Sequence, residues 1–252
     1  MYKLIAIDLD GTLLNTNKEI SIENYTAINA ALRAGLKIVL ATGREIEKVA
    51  PYLEYLALDL PIVTLNGAEI WTNSSTLYKR SLIDLDMVKE VYSLAKSHSI
   101  PYWGFAVEGT FHKFSFEGKL EHFGWLKFLF QTESNEQMNE LVVLTKKIRA
   151  LNYFEITNSH LNNIELNSQG VSKAAAIQEL CDLHNICMKE VVAIGDSIND
   201  ISLLKSAGLG VAMLNAQELV KKEVSMVTSS NNDNGVAEVI EFIIEKNKKL
   251  YS

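Results

Sequence analysis

The stretch Lys3-Leu4-Ile5-Ala6-Ile7-Asp8-Leu9-Asp10-Gly11-Thr12-Leu13-Leu14 opens on a short apolar run that stops at an acid. An apolar run over residues 3–7 is too short for a helix and predicts a buried strand, with Asp8 and Asp10 at its carboxyl end. Downstream, Ser21 is placed to cap a helix over 22–34, and Gly35 suits the left-handed residue that ends one. Apolar runs at 37–41 and 61–65, separated by a helical pattern over 45–56, predict two further strands. Strands alternating with helices predict an α/β fold, a parallel sheet with helices on both faces.

Near Asn66 the pattern changes. Residues 68–72 and 76–80 flank Asn73-Ser74-Ser75 and predict a hairpin. From residue 82 the order is different. Asp84 caps a helix running to about residue 97, and strands over 102–107 and 110–116 surround Glu108-Gly109. A strand over 126–131 and a helix over 135–150 follow, the helix with Met138, Leu141, Val142 and Ile148 on one face. A hairpin of 153–157 and 163–166 completes a separate α+β module with an antiparallel sheet. Its aromatic residues Tyr102, Trp103, Phe105, Phe111, Phe114 and Phe116 are expected in the core, because strand alternation buries one face. After Ser172 the first pattern resumes: helix 173–184, strand 190–194 ending at Gly195-Asp196, helix 201–207, strand 209–213 and helix 236–245. The parallel-sheet domain is therefore expected in two pieces, 1–81 and 168–252, with the α+β module of 82–167 inserted between them.

The 252 residues allow one large domain or two modest ones at about 150 residues per domain. Lys plus Arg number 24 and Asp plus Glu 31, a net charge of −7 that argues against a nucleic-acid partner. No apolar run approaches the ~18 residues of a membrane span, and the acid at position 8 falls where a signal peptide needs its apolar region. A soluble cytoplasmic protein with no membrane partner is expected, and no feature calls for an obligate protein partner. Cys181 and Cys187 match neither a metal-ligand spacing nor a disulfide framework and are expected to be reduced thiols.

Ligands of an open parallel sheet gather at the carboxyl ends of its strands. Asp8 ends the first strand, Thr42 follows the second and Asp196 ends the strand after the insertion. Asp8 and Asp10, Thr42, Lys173, and Asp196 with Asp200 are thus expected at one edge. Four converging carboxylates are costly without a cation, and hard oxygen ligands suit Mg²⁺. Each segment alone has a plainer account. Asp-x-Asp-Gly after a strand describes a turn, Lys173 a solvated lysine, and Asn199-Asp200 a helix cap. For Arg44 a substrate contact and a surface salt bridge stand equally open. The five histidines are expected to be structural or exposed.

Taken together, the segments resemble the haloacid dehalogenase (HAD) superfamily of phosphotransferases. Asp8-Leu9-Asp10-Gly11-Thr12-Leu13-Leu14 is similar to its nucleophile motif, Ala41-Thr42-Gly43-Arg44 to its second motif, Lys173 to its third and Gly195-Asp196-Ser197-Ile198-Asn199-Asp200 to its fourth. Asn66-Gly67-Ala68 and Leu209-Gly210-Val211-Ala212-Met213 look like accessory motifs of its Cof-type subfamily. The resemblance covers both outer segments, and the middle resembles a C2-type cap by position and pattern. It implies a Rossmann-like core with an inserted cap and a Mg²⁺-dependent phosphatase acting on a small phosphorylated metabolite, a sugar phosphate or nucleotide-type phosphate. By the same resemblance Asp8 is the nucleophile that forms an aspartyl-phosphate, and Asp10 the general acid and then base. Asp8, the Asp10 carbonyl and Asp196 ligate the metal, with Asp200 behind them orienting bound water. Gly11 admits close approach of the phosphoryl group; Thr42, Gly43 and Lys173 bind it, and Asn199 holds Lys173 or a phosphoryl oxygen. Two positions depart from the pattern: Ala174 stands where the subfamily commonly has Gly, and Leu214 where Gly often follows the Val-Ala-Met run.

Two other functions stay open in the sequence. A phosphomutase of the same fold would return the phosphoryl group to an intermediate instead of to water. A receiver-like phosphoacceptor signalling module, from a different class, also uses an acidic cluster with a Thr and a Lys. An acid/base at Asp10 and the inserted module favour the enzyme.

Overall fold

A computed structural model of the 252-residue chain describes residues 1–57, 59–98, 100–112, 120–132 and 134–249. In chain order the elements begin β1 (Leu4–Ile7), α1 (Ile22–Arg33), β2 (Lys37–Ala41), α2 (Ile46–Leu56), β3 (Ile62–Thr64), β4 (Glu69–Asn73) and β5 (Thr76–Arg80). They continue with α3 (Leu85–His98), β6 (Tyr102–Ala106), β7 (Gly109–His112), β8 (Trp125–Gln131), α4 (Asn135–Ala150), β9 (Phe154–Thr157) and β10 (Asn163–Ser168). The chain closes with α5 (Lys173–Leu183), β11 (Val191–Gly195), α6 (Ile201–Ser206), β12 (Leu209–Ala212), α7 (Glu218–Lys222), β13 (Met226–Val227) and α8 (Gly235–Lys248). It divides into two compact units, Met1–Tyr78 with Lys173–Ser252, and Lys79–Ser172.

The first unit is built on an eight-stranded sheet in the order β13-β12-β11-β1-β2-β3-β4-β5. Strands β13 through β3 run parallel. The edge departs from the all-parallel expectation: β4 runs antiparallel to β3, and the expected hairpin extends the sheet. β1 lies between β2 and β11, with Leu4 beside Lys37 on one side and Val191 on the other. The strand order thus reverses at β1 and β11, where an open α/β sheet has its ligand crevice. Leu4, Ile5, Ala6 and Ile7 are buried on both faces with residues of α1, α2, α5, α6 and α8 in one core. The Ser21 hydroxyl caps α1 by accepting from Asn24 N, and Gly35 follows its end at φ +82°, as the sequence predicts; such a cap contributes about 1 kcal/mol. Buried Asn24 ties the two terminal helices together, donating to Leu13 O and accepting from Ala237 N. Helix α7 and strand β13 are too short for their periodicity to register in the sequence.

The second unit is a five-stranded antiparallel sheet, β7-β6-β8-β10-β9. One face packs on α3 and α4 through Val88, Val91, Leu141, Leu144, Ile148, Phe128 and Phe130. Met138 joins that cluster, but Val142, expected on the same stripe, is exposed; Leu144 takes the place instead. The aromatic residues divide by strand parity. Tyr102 and Phe111 join the helix-packed core, whereas Trp103 and Phe105 alternate to the other face, Trp103 beside the His112 ring. On that face Lys127 and Glu165 form a buried ion pair at 3.1 Å, with the Lys127 ammonium over the Phe105 ring. Phe114, Phe116 and the end of the strand expected over 110–116 lie outside the described residues, as do residues 117–119.

No helix among the described residues is long and apolar enough to cross a membrane. Cys181 and Cys187 are free thiols, and burial pushes the Cys181 thiol up to about 11, which leaves it a poor nucleophile.

Candidate active site

Three segments meet at the carboxyl ends of β1 and β11. The first is the turn after β1. Asp8 N donates to Ile194 O, continuing the ladder, and Leu13 N donates back to Asp8 O. Gly11 lies at φ +77°, and a Cβ there would fall 2.5 Å from an Asp196 carboxylate oxygen. The turn therefore needs glycine both for its backbone and for room. The second segment is the start of α5, where Lys173 is fully buried. Its Nζ donates to Asp8 Oδ1 at 2.6 Å and to Asp200 Oδ1 at 2.7 Å. The third is the loop after β11. Asp200 Oδ2 accepts from the backbone N–H groups of Asp196 and Ser197, both at 3.0 Å, so both oxygens of Asp200 serve to hold this loop and Lys173. Asp196 is fixed by the hydroxyls of Ser197 at 3.1 Å and Thr12 at 3.3 Å. Asp8, Asp196 and Asp200 each place a carboxylate oxygen within 4.8 Å of the others.

Burial dominates the electrostatics of this cluster. It pushes the Asp8 carboxyl well up, reinforced by the charges of Asp200 and Asp196 and opposed by Lys173. It raises Asp196 to about 7, with Asp200 adding to the effect. For Lys173 burial alone would lower the ammonium, but Asp200 and Asp8 outweigh it and hold Lys173 protonated. One buried ammonium cannot balance three ionised carboxyl groups, which is why burial favours the neutral forms of Asp8 and Asp196 here, and a divalent cation in this all-oxygen donor set would favour the ionised ones, as suits Mg²⁺.

Asp10 points elsewhere. Its carboxylate takes a two-pronged contact from Arg44, Nε to Oδ2 at 2.6 Å and Nη2 to Oδ1 at 2.7 Å. Lys18 Nζ adds a third bond to Oδ1 at 2.7 Å. Burial works to raise Asp10, but these hydrogen bonds and charges hold it at about 2. Thr42 is buried on the loop after β2, where its Oγ1 accepts from Arg44 N at 3.2 Å.

The chain matches the family described as haloacid dehalogenase-like hydrolase over residues 5–138 and 113–240. It is 40% identical over 238 residues to the 5-amino-6-(5-phospho-D-ribitylamino)uracil phosphatase YcsE of Bacillus subtilis strain 168, covering 94% of each chain. The chain belongs to the HAD superfamily and is a phosphatase of the Cof type. A second phosphatase from that bacterium, YwtE, carries the same substrate in its name and is 30% identical over 284 residues, covering 96% of this chain and 98% of its own. A solved haloacid dehalogenase-like hydrolase from B. subtilis superposes with a TM-score of 0.87 at 28% identity, covering 95% of this chain and 99% of the other.

In this phosphatase the structure brings together Asp8, Lys173, Asp196 and Asp200, with Gly11 against Asp196. Asn199 differs from one expectation. Lys173 Nζ is held by Asp8 and Asp200, while Asn199 Nδ2 donates to Asn66 Oδ1 at 3.2 Å. Asn199 Oδ1 is buried without a hydrogen-bond partner among the described residues. Asn66 sits in a strained turn: Leu65, Asn66 and Gly67 all have positive φ, at 50°, 59° and 106°. Such strain in non-glycine residues concentrates at functional sites. Thr12 and Ser197 lie inside quoted motifs, yet only the structure shows their hydroxyls on Asp196. Asn215, beside Leu214, ties the loop after β12 to the turn after β1 by donating to Gly11 O at 2.8 Å.

Proposed function

We propose that the phosphatase hydrolyses a small phosphorylated metabolite through an aspartyl-phosphate on Asp8, with Mg²⁺ as cofactor. The core of 1–81 and 168–252 carries the chemistry, and 82–167 serves as the C2 cap. The observation that carries this reading is Lys173, which joins the Asp8 and Asp200 carboxylates at 2.6 and 2.7 Å beside Asp196. Asp8, the Asp10 carbonyl and Asp196 would hold the metal, with Asp200 behind them, since its own oxygens hold the loop and Lys173. Bound Mg²⁺ supplies neutralisation of the carboxylates and of the phosphoryl oxygens.

Lys173 fixes one oxygen of Asp8, and among the described residues none donates to Oδ2, the oxygen left for attack on phosphorus. The Asp8–P bond forms as the P–O bond to the leaving alcohol breaks, and Asp10, which takes up a proton on leaving the Arg44 and Lys18 contacts that hold it ionised, gives that proton to the leaving oxygen. Asp10, now a carboxylate, takes a proton from the water that attacks the aspartyl-phosphate. Phosphate departs, and Asp8 and protonated Asp10 are regenerated. Lys173 stabilises the charge of the group in transfer, and Thr42, Gly43 and Asn199 bind its oxygens.

The names of the two relatives at 40% and 30% identity support 5-amino-6-(5-phospho-D-ribitylamino)uracil as the substrate. Phosphate release from that ester, ribose 5-phosphate, a nucleoside monophosphate and glucose 6-phosphate, with Mg²⁺ and with excess chelator, tests the reading. The ribitylamino ester should have the highest kcat/KM, and chelator should abolish turnover. A higher kcat/KM for another ester would overturn the substrate; full turnover in chelator would overturn the metal.

A further inference from the structure

We propose that Asn215 is a positioning residue of the metal site: its side-chain amide fixes the turn that carries Asp8 and Asp10 against the loop that carries Asp196. This rests on the reading that those two segments hold Mg²⁺ together. Both segments and the loop after β12 lie in the first unit. In the sheet β11 separates β12 from β1, so Asn215 reaches past the end of β11 to touch the turn after β1.

Asn215 engages that turn at its least constrained residue. Gly11 has no Cβ to limit its backbone and stands at φ +77°. On one side of it is Asp10, whose carbonyl would meet the metal. On the other is Thr12, whose hydroxyl holds Asp196 at 3.3 Å. The peptide that follows Gly11 is fixed from outside, because Asn215 Nδ2 donates to Gly11 O at 2.8 Å. The same short loop grips the other segment. Gln217 N donates to Asp196 O at 2.9 Å, and Met213 N to Gly195 O at 3.1 Å. Residues 213–217 therefore hold both sides of the carboxylate cluster.

Asn215 lies at the surface, yet it is itself held. Its Oδ1 accepts from Asn231 N at 2.9 Å. Asn231 is buried, and its Nδ2 donates to Leu14 O at 2.8 Å, further along the same turn. Beside it, Asn232 Oδ1 accepts from the backbone N–H and the hydroxyl of Thr16 at 3.0 and 3.2 Å. The loops after β12 and β13 thus clasp the turn at Gly11, Leu14 and Thr16, and Asn215 uses both ends of its amide to do so. Such bonds contribute only about 1 kcal/mol each to stability; their directions place the backbone.

Mg²⁺ demands near-ideal octahedral geometry, whereas Ca²⁺ accepts looser coordination. A residue that sets the spacing of ligands should therefore be felt by Mg²⁺ more than by Ca²⁺, while a loss of charge or of overall stability acts on both. The test is calorimetric titration of the metal-free full chain with each ion. Asn215→Ala should raise the Mg²⁺ dissociation constant by about tenfold, the lower end of what groups behind metal ligands contribute, and the Ca²⁺ constant by less than about threefold. Asn247 is the control. Its amide is likewise tied at both ends, donating to Tyr2 O at 2.8 Å and accepting from Tyr2 N at 3.0 Å. Asn247→Ala should leave both constants unchanged, and Asp196→Asn should weaken both ions severely. An unchanged Mg²⁺ constant in Asn215→Ala, an equal rise for the two ions, or the same rise in Asn247→Ala overturns the positioning role and leaves the metal reading intact. Undiminished Mg²⁺ binding by Asp196→Asn overturns the metal reading and the positioning role with it.

Discussion

Lys173 and Asp8 are 165 positions apart in the chain, and their charged atoms are 2.6 Å apart. The contact spans the whole inserted segment and aligns the proposed nucleophile with the one buried ammonium of the cluster. It is reinforced by Asp200, which holds the same ammonium at 2.7 Å and the loop carrying Asp196 through its other oxygen.

Lys173→Ala should reduce kcat by ~10²-fold, the scale expected when a transition-state charge is left unbalanced. It should also destabilise the metal-free protein by on the order of 3 kcal/mol, since two buried carboxylates lose their counter-ion. Lys173→Arg should recover neither in full, because a planar fork cannot occupy the position of a compact ammonium. Steady-state kinetics and urea unfolding read the two effects separately.

Asp8 and Asp10 are separable by the fate of the phosphoryl group. Asp8→Asn should yield no phosphoenzyme from any ester, since the amide is a poor nucleophile. Asp10→Asn should slow phosphorylation by an alkyl ester ~10²–10⁴-fold. With an aryl ester it should still phosphorylate Asp8, and the aspartyl-phosphate should accumulate for want of a base. Borohydride trapping and peptide mass analysis would locate the group, and label on Asp10 would reverse the assignment.

The raised Asp196 carboxyl gives the metal-free protein a pH signature. The unfolded chain releases this proton near 3.8 and the folded protein only near about 7. Between those values the folded state binds more protons, so this group's contribution to stability falls as pH rises through the window. Mg²⁺ competes with the same proton. The melting-temperature gain from Mg²⁺ should therefore be small at about pH 5 and reach its full size at about pH 8. Scanning fluorimetry across that range checks this, and a gain that shrinks with rising pH would contradict it.

Two glycines with similar backbone angles should respond differently to alanine. Gly35, at φ +82°, has nothing within 4 Å of an added Cβ. Gly35→Ala should cost about 1 kcal/mol from backbone strain and leave kcat unchanged. Gly11, at φ +77°, would drive its Cβ to 2.5 Å from Asp196 Oδ2. Gly11→Ala should displace Asp196, weaken Mg²⁺ affinity and lower turnover along with stability. Metal titration of both variants distinguishes them.

The sequence makes the sheet of the first unit legible because its inner strands are short, largely apolar runs, two of which, β1 and β11, are followed directly by the acids Asp8 and Asp196. That order led to the expectation of carboxylates, a threonine and a lysine at one edge, and the structure brings Asp8, Lys173, Asp196 and Asp200 together. The helix face of α4 was legible through Leu141 and Ile148, but Val142 shows how a stripe one residue too wide includes an exposed position. Trp103 and Phe105 fall on the face opposite Tyr102 because alternation divides aromatic runs as strictly as any other. The partners of Asp10 were not legible. Lys18 reaches it only through a left-handed residue in a turn closed by Asn15, and nothing in the composition of residues 15–19 specifies that angle. The hold of Asn66 on Asn199 likewise depends on three successive positive φ angles after β3.

The position of β1 between β2 and β11 also bears on how the chain comes to be folded on the ribosome. β2 is synthesised soon after β1, but β11 emerges only after the whole of Lys79–Ser172. Until then the strand that ends on Asp8 has one open edge, while the inserted unit, continuous in sequence and with a core of its own, is complete. Pairings of such sequence separation form slowly, and domains fold as units in the order of synthesis. The nascent protein therefore carries Asp8, the proposed nucleophile, before Lys173 has been made. On the proposed mechanism, Asp8 lacks its charge partner until the segment after the insertion has joined the sheet.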